Sequence, residues 1–341
     1  MAVIEKEKNI IKLIILALLI LITISIFIGN YDFSFAEIKK ISFHLFNFSL
    51  EELNSEAGWS VLYYIRLPRI LTVVLVGGAL SLSGAAYQNI FRNPLVSPDI
   101  LGVSAGAGLG VALGLLYTDG SILLVYLSAF VMGLLAVFLT YSLSRLADSY
   151  NNMLMVLAGI VIASLANALL SLLKYTADPM EELPGIVFYL MGGFARIGWQ
   201  EFYLLFPIIL IGGFTLLFLR WQLNLFTLGE EEAASLGVDT EKIKLISVIF
   251  STMMVSAAVA ASGQVSWIGL VVPHIARFLV GTKHKYLLPA SAALGAFLLL
   301  LMDNFARSIS GAEIPISIIT ALIGAPFFAY LIITRRESGW S

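Results

Sequence analysis

The chain has no cysteine and only 3 histidines among its 341 residues. Disulfides, thiolate metal sites and cysteine nucleophiles are therefore excluded. His44, His274 and His284 stand far apart, and no H-E-x-x-H occurs. No G-x-x-x-x-G-K-[ST] segment is present either, so the chain lacks a P-loop for nucleotide phosphates. Charge is scarce: Asp, Glu, Lys and Arg make up 12% of the residues, against about 25% in a soluble domain. A formal net charge of −2 excludes a basic nucleic-acid binder. What remains is apolar, 59% of the chain with a mean hydropathy of +0.94. So few polar side chains cannot cover a water-exposed globule, and the fold class is an all-α polytopic membrane protein.

About 20 apolar residues are needed to cross the hydrocarbon core as a helix. Charge-free runs of that order lie at 13–31, 70–91, 100–118, 120–144, 149–173, 202–219 and 314–334, with a shorter one at 286–302. Residues 245–276 are too long for one span and are interrupted by Ser262-Gly263-Gln264, which reads as a helix break. Splitting there gives spans near 243–262 and 267–281, and about ten transmembrane helices in one transmembrane domain over 1–341. A piece at 183–195, with Pro184 at its start and Gly192-Gly193 near its end, is short enough to be a half-helix dipping into the membrane. The first run is read as a retained span, because no A-x-A-like cleavage site follows Gly29.

Placing the N-terminus in the cytoplasm puts 13 of the 20 Lys and Arg residues inside and 7 outside. An even span count then places both termini inside. The segment 32–60 becomes an external loop, carrying Glu51, Glu52 and Glu56. Ser83-Gly84 is followed ten residues later by Pro94, and Ser262-Gly263 ten residues later by Pro273. Because the preceding helices run in opposite directions, the echo has the form of an inverted repeat, a common transporter plan; two unrelated helix breaks give the same pattern. Gly102, Gly106, Gly110 and Gly114 recur at fours and lay a groove of bare backbone along the third span, where another helix can approach closely.

The fifth span carries Gly159, Ala163, Asn167 and Ser171 at the same spacing. A mid-membrane asparagine must be satisfied either by another helix or by water, so this face reads as pore lining or as an interhelical contact. A polar insert at 221–240 lies between the sixth and seventh spans. Three glutamates open a short Ala-rich stretch, favoured at the positive end of a helix, and Gly237 is placed to cap its far end. The result is a short exposed helix with an acidic face and a Leu236/Val238 edge, suited to a cytoplasmic partner. Arg66 and Arg69, which bracket Pro68, read as interfacial anchors that snorkel to headgroups.

Six blocks in order carry a family resemblance. They are Arg66-Leu-Pro-Arg69, the segment Asn93 to Ser104, Leu157-Ala-Gly159, the Gly229–Gly237 insert, the segment Gly269 to Arg277, and Glu313-Ile-Pro-Ile-Ser through Gly324-Ala-Pro326. With them the chain, from Arg66 to Ile333, resembles the FecCD permeases of ABC importers for cobalamin, ferric siderophores and haem. The resemblance implies the type II importer permease fold, a homodimer with a translocation path on its axis, two copies of a separate ATPase inside and an extracytoplasmic binding protein outside. ATP and Mg would then sit on the ATPase, with no cofactor or metal on this chain and no catalytic site of its own. The insert would couple to the ATPase through Glu230, Glu231, Glu232, Ala233, Ser235, Leu236 and Gly237. The path would be lined by Gly159, Ala163, Asn167 and Ser171, and the cytoplasmic gate would fall at Asn151, Asn152 and Met153. Arg66, Arg69 and Arg307 would receive carboxylates from the binding protein. The expected place is the cytoplasmic membrane of a prokaryote, in contact with lipid and with no nucleic acid.

The expected cargo is a metal chelate, a ferric siderophore first, haem or cobalamin next, with an oxyanion such as molybdate as the alternative. A reading of a different class is an ion-coupled secondary transporter. It would need a buried carboxylate or histidine for the coupling ion. Asp303 and Glu313 lie near span ends, and the mid-span polar residue, Asn167, is neutral.

Overall fold

The computed structural model describes residues 2–29, 31–35, 37, 39–40, 57–118, 121–146, 152–309 and 313–334. Every regular element among them is helical. In chain order they are α1 (Ala2–Phe27), α2 (Ala57–Ile90), α3 (Val103–Tyr117), α4 (Ile122–Leu146), α5 (Asn152–Thr176), α6 (Leu183–Leu190) and α7 (Trp199–Phe218). There follow α8 (Arg220–Leu225), α9 (Glu230–Ser235), α10 (Thr240–Ser262), α11 (Ile268–Val280), α12 (His284–Ser308) and α13 (Ile316–Thr334).

Seven of these are long and apolar enough to cross a membrane: α1, α2, α4, α5, α7, α10 and α12. Three shorter apolar helices, α3, α11 and the Ile316–Tyr330 part of α13, complete a set of ten. The break expected at Ser262-Gly263-Gln264 is present: α10 stops at Ser262, Gly263 adopts φ 68°, and α11 restarts at Ile268. The half-helix α6 also forms. Its chain reverses at Gly192, where Gly193 N–H donates to Ser262 O at 2.8 Å and Ile316 N–H donates to Gly192 O at 3.0 Å. The turn is thus pinned between the end of α10 and the start of α13.

Helices α2, α10 and α12 make the centre of the bundle, mostly buried, while α1, α5 and α7 lie on its periphery with large apolar side chains outward. Small residues let the central backbones approach. A Cβ on Gly77 of α2 would fall on the Gly295 carbonyl of α12, and the reverse is also true. The glycine groove of α3 receives α4, as its spacing implied. A Cβ at Gly106 would lie 2.6 Å from the Ala136 Cβ and the Met132 O, and one at Gly114 2.7 Å from the Val125 Cα. This is packing by small residues where lipid supplies no hydrophobic drive between helices.

The two dipeptide echoes mark different local structures. Ser262-Gly263 ends α10, whereas Ser83-Gly84 lies inside the unbroken α2, where Gly84 admits the Gly269 backbone of α11. At the level of elements the order is repeated nonetheless. A long helix, a short one, a long one and a fourth follow each other as α2 to α5 and again as α10 to α13.

Candidate functional site

The insert at 221–240 folds into two short helices. Leu223 and Phe226 are fully buried and hold α8 against the bundle. The Asn89 side chain at the end of α2 donates to Leu223 O at 2.5 Å, and His284 N–H at the start of α12 donates to the Asn224 Oδ1 at 3.2 Å. The chain then passes Gly229, at φ 129°, into α9. Ala233 is fully buried, and its carbonyl accepts from Val238 N–H at 3.2 Å. The Asp239 carboxylate caps α10 by accepting from Lys242 N–H at 3.0 Å. This arrangement corrects two expectations. Ala233 faces its own chain and anchors α9, because a six-residue helix must turn one side inward to stay docked. Val238, at 9% exposure, turns inward with it and leaves Leu236 alone on the edge. Glu231, Glu232, Ser235, Leu236 and Gly237 are exposed, Leu236 at 59%. The Glu230 side chain lies outside the described residues. An apolar leucine is thus presented beside two carboxylates on a braced platform.

Helix α5 separates the four expected path residues. Gly159 is buried, and a Cβ there would fall on the Ile100 carbonyl and lie 2.9 Å from the Leu101 Cα. Ala163 is half-buried beside Gly102. Asn167 and Ser171 are exposed on the open face. The reason is helical drift: residues four apart advance by 400°, so a spacing of four rotates about 40° per step. Gly159 is therefore a packing residue for the turn before α3. The Ser171 hydroxyl donates to Asn167 O and that of Ser164 to Ile160 O, both at 2.8 Å. The Asn167 amide has no protein partner among the described residues. Of the expected gate, Asn151 and the Asn152 side chain lie outside the described residues, and Met153 is exposed at the start of α5.

The three arginines turn inward. Arg69 is 5% exposed and grips two carboxylates. Its Nη2 donates to Asp303 Oδ1 at 2.8 Å and its Nε to Oδ2 at 3.1 Å, while Nη1 and Nη2 donate to Glu313 at 2.6 and 3.0 Å. Arg307, also 5% exposed, donates through Nη2 to Ser25 O at 2.9 Å and to the Asn304 side chain at 2.5 Å. Its Nε stands 3.7 Å from Asp303. Arg66 is 3% exposed, donates to the carbonyls of Ile26 and Tyr31, and lies over the Phe33 ring. Each guanidinium already has partners within the chain, so receiving a carboxylate from another protein would require displacing one of them. Snorkelling to headgroups is likewise corrected: Arg69 is turned onto Asp303 and Glu313, and Arg66 onto backbone carbonyls and the Phe33 ring, so neither guanidinium reaches outward.

One residue set aside from the sequence proves central. Asp303, 1% exposed, is the buried carboxylate that an ion-coupled transporter would need. Here it is engaged by Arg69 through both oxygens, with Arg307 close by, which gives it a structural role. A second pair missed from sequence is Gln88 and Arg277: Arg277 Nη2 donates to Gln88 Oε1 at 2.5 Å, and Gln88 Nε2 donates to Leu270 O at 3.1 Å. It ties α2 to α11. Separations of 189 residues in one case and 234 in the other gave no local signal.

Comparison with known proteins fits this geometry. Residues 17–334 match the FecCD transport family. A molybdate import system permease protein of Haemophilus influenzae is 40% identical over 95% of this chain and 96% of its own length. The hemin transport system permease protein HmuU of Yersinia pestis is 38% identical over 83% of this chain and 86% of its own. A solved structure described as an inward-facing, metal-chelate type ABC transporter superposes with a TM-score of 0.85 at 39% identity, covering 96% of this chain and 99% of the other. The chain belongs to the FecCD transport family and is a multi-pass membrane permease of the ABC importer class.

Proposed function

We propose that the chain is the membrane subunit of an importer for a metal chelate, built as a homodimer with two copies of a separate ATPase and served by an extracytoplasmic binding protein. The observation that carries this reading is the exposed edge of α9, held in place by Ala233, by the docking of α8 through Leu223 and Asn224, and by the Asp239 cap of α10. An isolated loop between two spans needs no such bracing, whereas a contact that transmits force does. The ATPase seats on Glu231, Glu232 and Leu236, and ATP and Mg bind there, outside this chain. That end of the bundle, with both termini, faces the cytoplasm of a prokaryotic cell.

The homodimer places α5 at the axis. Asn167, Ser164 and Ser171 share an open face, with Lys174 at its end seven residues beyond Asn167. An unpartnered amide facing lipid is costly, so a second copy or a water-filled path covers it. Small neutral walls let a large polar cargo pass without a deep binding site, and the gate falls at the start of α5. The binding protein docks at the opposite end, around Arg66, Arg69 and Arg307, which brace that surface from beneath. A second reading, molybdate as cargo, is favoured by the 40% identity to a molybdate import permease over nearly the whole chain. The test is ATP hydrolysis by the permease–ATPase complex in proteoliposomes, with the binding protein and a panel of ferric siderophore, haem, cobalamin and molybdate. One cargo of this panel should stimulate hydrolysis several-fold. No stimulation by any of them would overturn the cargo class, and hydrolysis unchanged by removing the permease would overturn the complex.

A further inference from the structure

We infer that an open cavity between α8 and the start of α12 binds the phosphodiester headgroup of an anionic phospholipid. The cavity, about 480 Å³, is lined by Arg220, Trp221, Asn224, Lys283, Lys285 and Tyr286. Three cations meet there, all exposed, and no carboxylate lines the walls. Among the described residues none of the three has an ion pair. In a chain with net charge −2 such an unneutralised cluster is a local exception. Lys285 lies over the Tyr286 ring at 5.8 Å, which leaves its charge available to an anion.

The frame of the cavity is fixed before any ligand arrives. Leu223 is fully buried under α8, and the His284 N–H to Asn224 bond staples α8 to α12. Lys283 and Lys285 stand at the N-terminus of a 25-residue helix, whose dipole adds to their field. The position selects lipid as the source of the phosphate. Helix α7 carries Ile211, Phe214 and Phe218 outward on one face, Phe218 at 80% exposure, and this stripe leads directly to Arg220 and to Trp221, which is 64% exposed. Acyl chains lie along the stripe, the headgroup reaches the cations, and the aromatic rings sit at the boundary, where tryptophan and tyrosine concentrate. Basic residues near a membrane surface attract anionic lipids at about fivefold in affinity for each cation. The inference rests on the chain being a membrane permease and is independent of its cargo.

Native mass spectrometry of the purified chain in detergent tests it, with dioleoylphosphatidylglycerol, dioleoylphosphatidylcholine or inorganic phosphate added. Phosphatidylglycerol adducts should persist where phosphatidylcholine adducts do not. The triple variant R220Q/K283Q/K285Q should bind phosphatidylglycerol on the order of a hundredfold more weakly, and Lys242→Gln, on α10 outside the cavity, should bind as the parent does. Should the triple variant fail to elute as folded protein, Lys283→Gln alone should weaken binding about fivefold. Undiminished phosphatidylglycerol binding by these variants would overturn the inference. So would inorganic phosphate competing at millimolar concentration as well as the lipid does, since the occupant would then be a free anion.

Discussion

Replacing Asp303 by alanine removes the carboxylate that Arg69 meets at 2.8 and 3.1 Å, while leaving the guanidinium 5% exposed. Glu313 remains as its partner, but Glu313 is itself partly exposed. Arg307, with its Nε 3.7 Å from the same carboxylate, also loses a counter-charge. Stranding a buried charge costs about 3–5 kcal/mol. With about 2.1 cal/mol/K of unfolding entropy per residue, a chain of 341 residues should melt about 4–7 °C lower. Thermal-shift size-exclusion chromatography in detergent reads this directly. The double variant R69M/D303L removes the stranded Arg69 charge together with its partner and should recover part of the loss, because a buried ion pair and its hydrophobic counterpart are often near-equal in stability, while Arg307 and the partly exposed Glu313 each keep one partner fewer. A D303A chain melting within a degree of the parent would refute the reasoning. So would a double variant less stable than the single one, since pairing with Glu313 would then outweigh pairing with Asp303.

Further outcomes follow from the packing. Gly106→Val should destabilise the chain by about 1–3 kcal/mol or more, because even a Cβ there meets the Ala136 Cβ and the Met132 carbonyl at 2.6 Å; melting in detergent checks it. Ala233→Leu should overpack a fully buried position and displace α9, so ATPase co-purification should fall, while the chain alone, destabilised by about 1–3 kcal/mol, should melt only about 1–4 °C lower. In the turn after α5, Asp178 accepts from Met180 N–H and Glu181 N–H at 2.8 Å each, which holds its carboxyl below the ordinary value. The sign is that of a depressed acid: the turn is fully capped above the unfolded pKa and loosens as pH falls through the folded one. Amide exchange at Met180 and Glu181 should therefore quicken only in acid and be flat, after correction for intrinsic rates, between pH 6 and 8.

Hydropathy made the ten apolar helices legible, because each needs a run of uncharged residues and the break at Ser262-Gly263-Gln264 interrupts one too long to be single. The glycine groove of α3 was legible for the same local reason. What the sequence hid was long-range or directional. The Arg69–Asp303–Glu313 cluster joins residues 234 and 244 positions apart, so each charge read alone as an interfacial anchor or a span-end carboxylate. Ser83-Gly84 resembled a helix break, yet the apolar sequence on both sides carries α2 straight through, and the glycine serves the close approach of α11. The spacing of four along α5 suggested one face, but its drift takes Gly159 into the packing and leaves Asn167 open. A stretch as short as α9 has too few residues to phase from sequence, so the inward turn of Ala233 could only be seen in three dimensions.

The central claim is that this chain moves its cargo only through an ATPase gripping α9. Uptake of the cargo into proteoliposomes containing the permease and binding protein, with and without the ATPase and ATP, measures it. Transport should require both, and Leu236→Asp should bring it to background while the variant melts as the parent does. Cargo accumulating without the ATPase, or full uptake by the Leu236→Asp chain, would contradict the account.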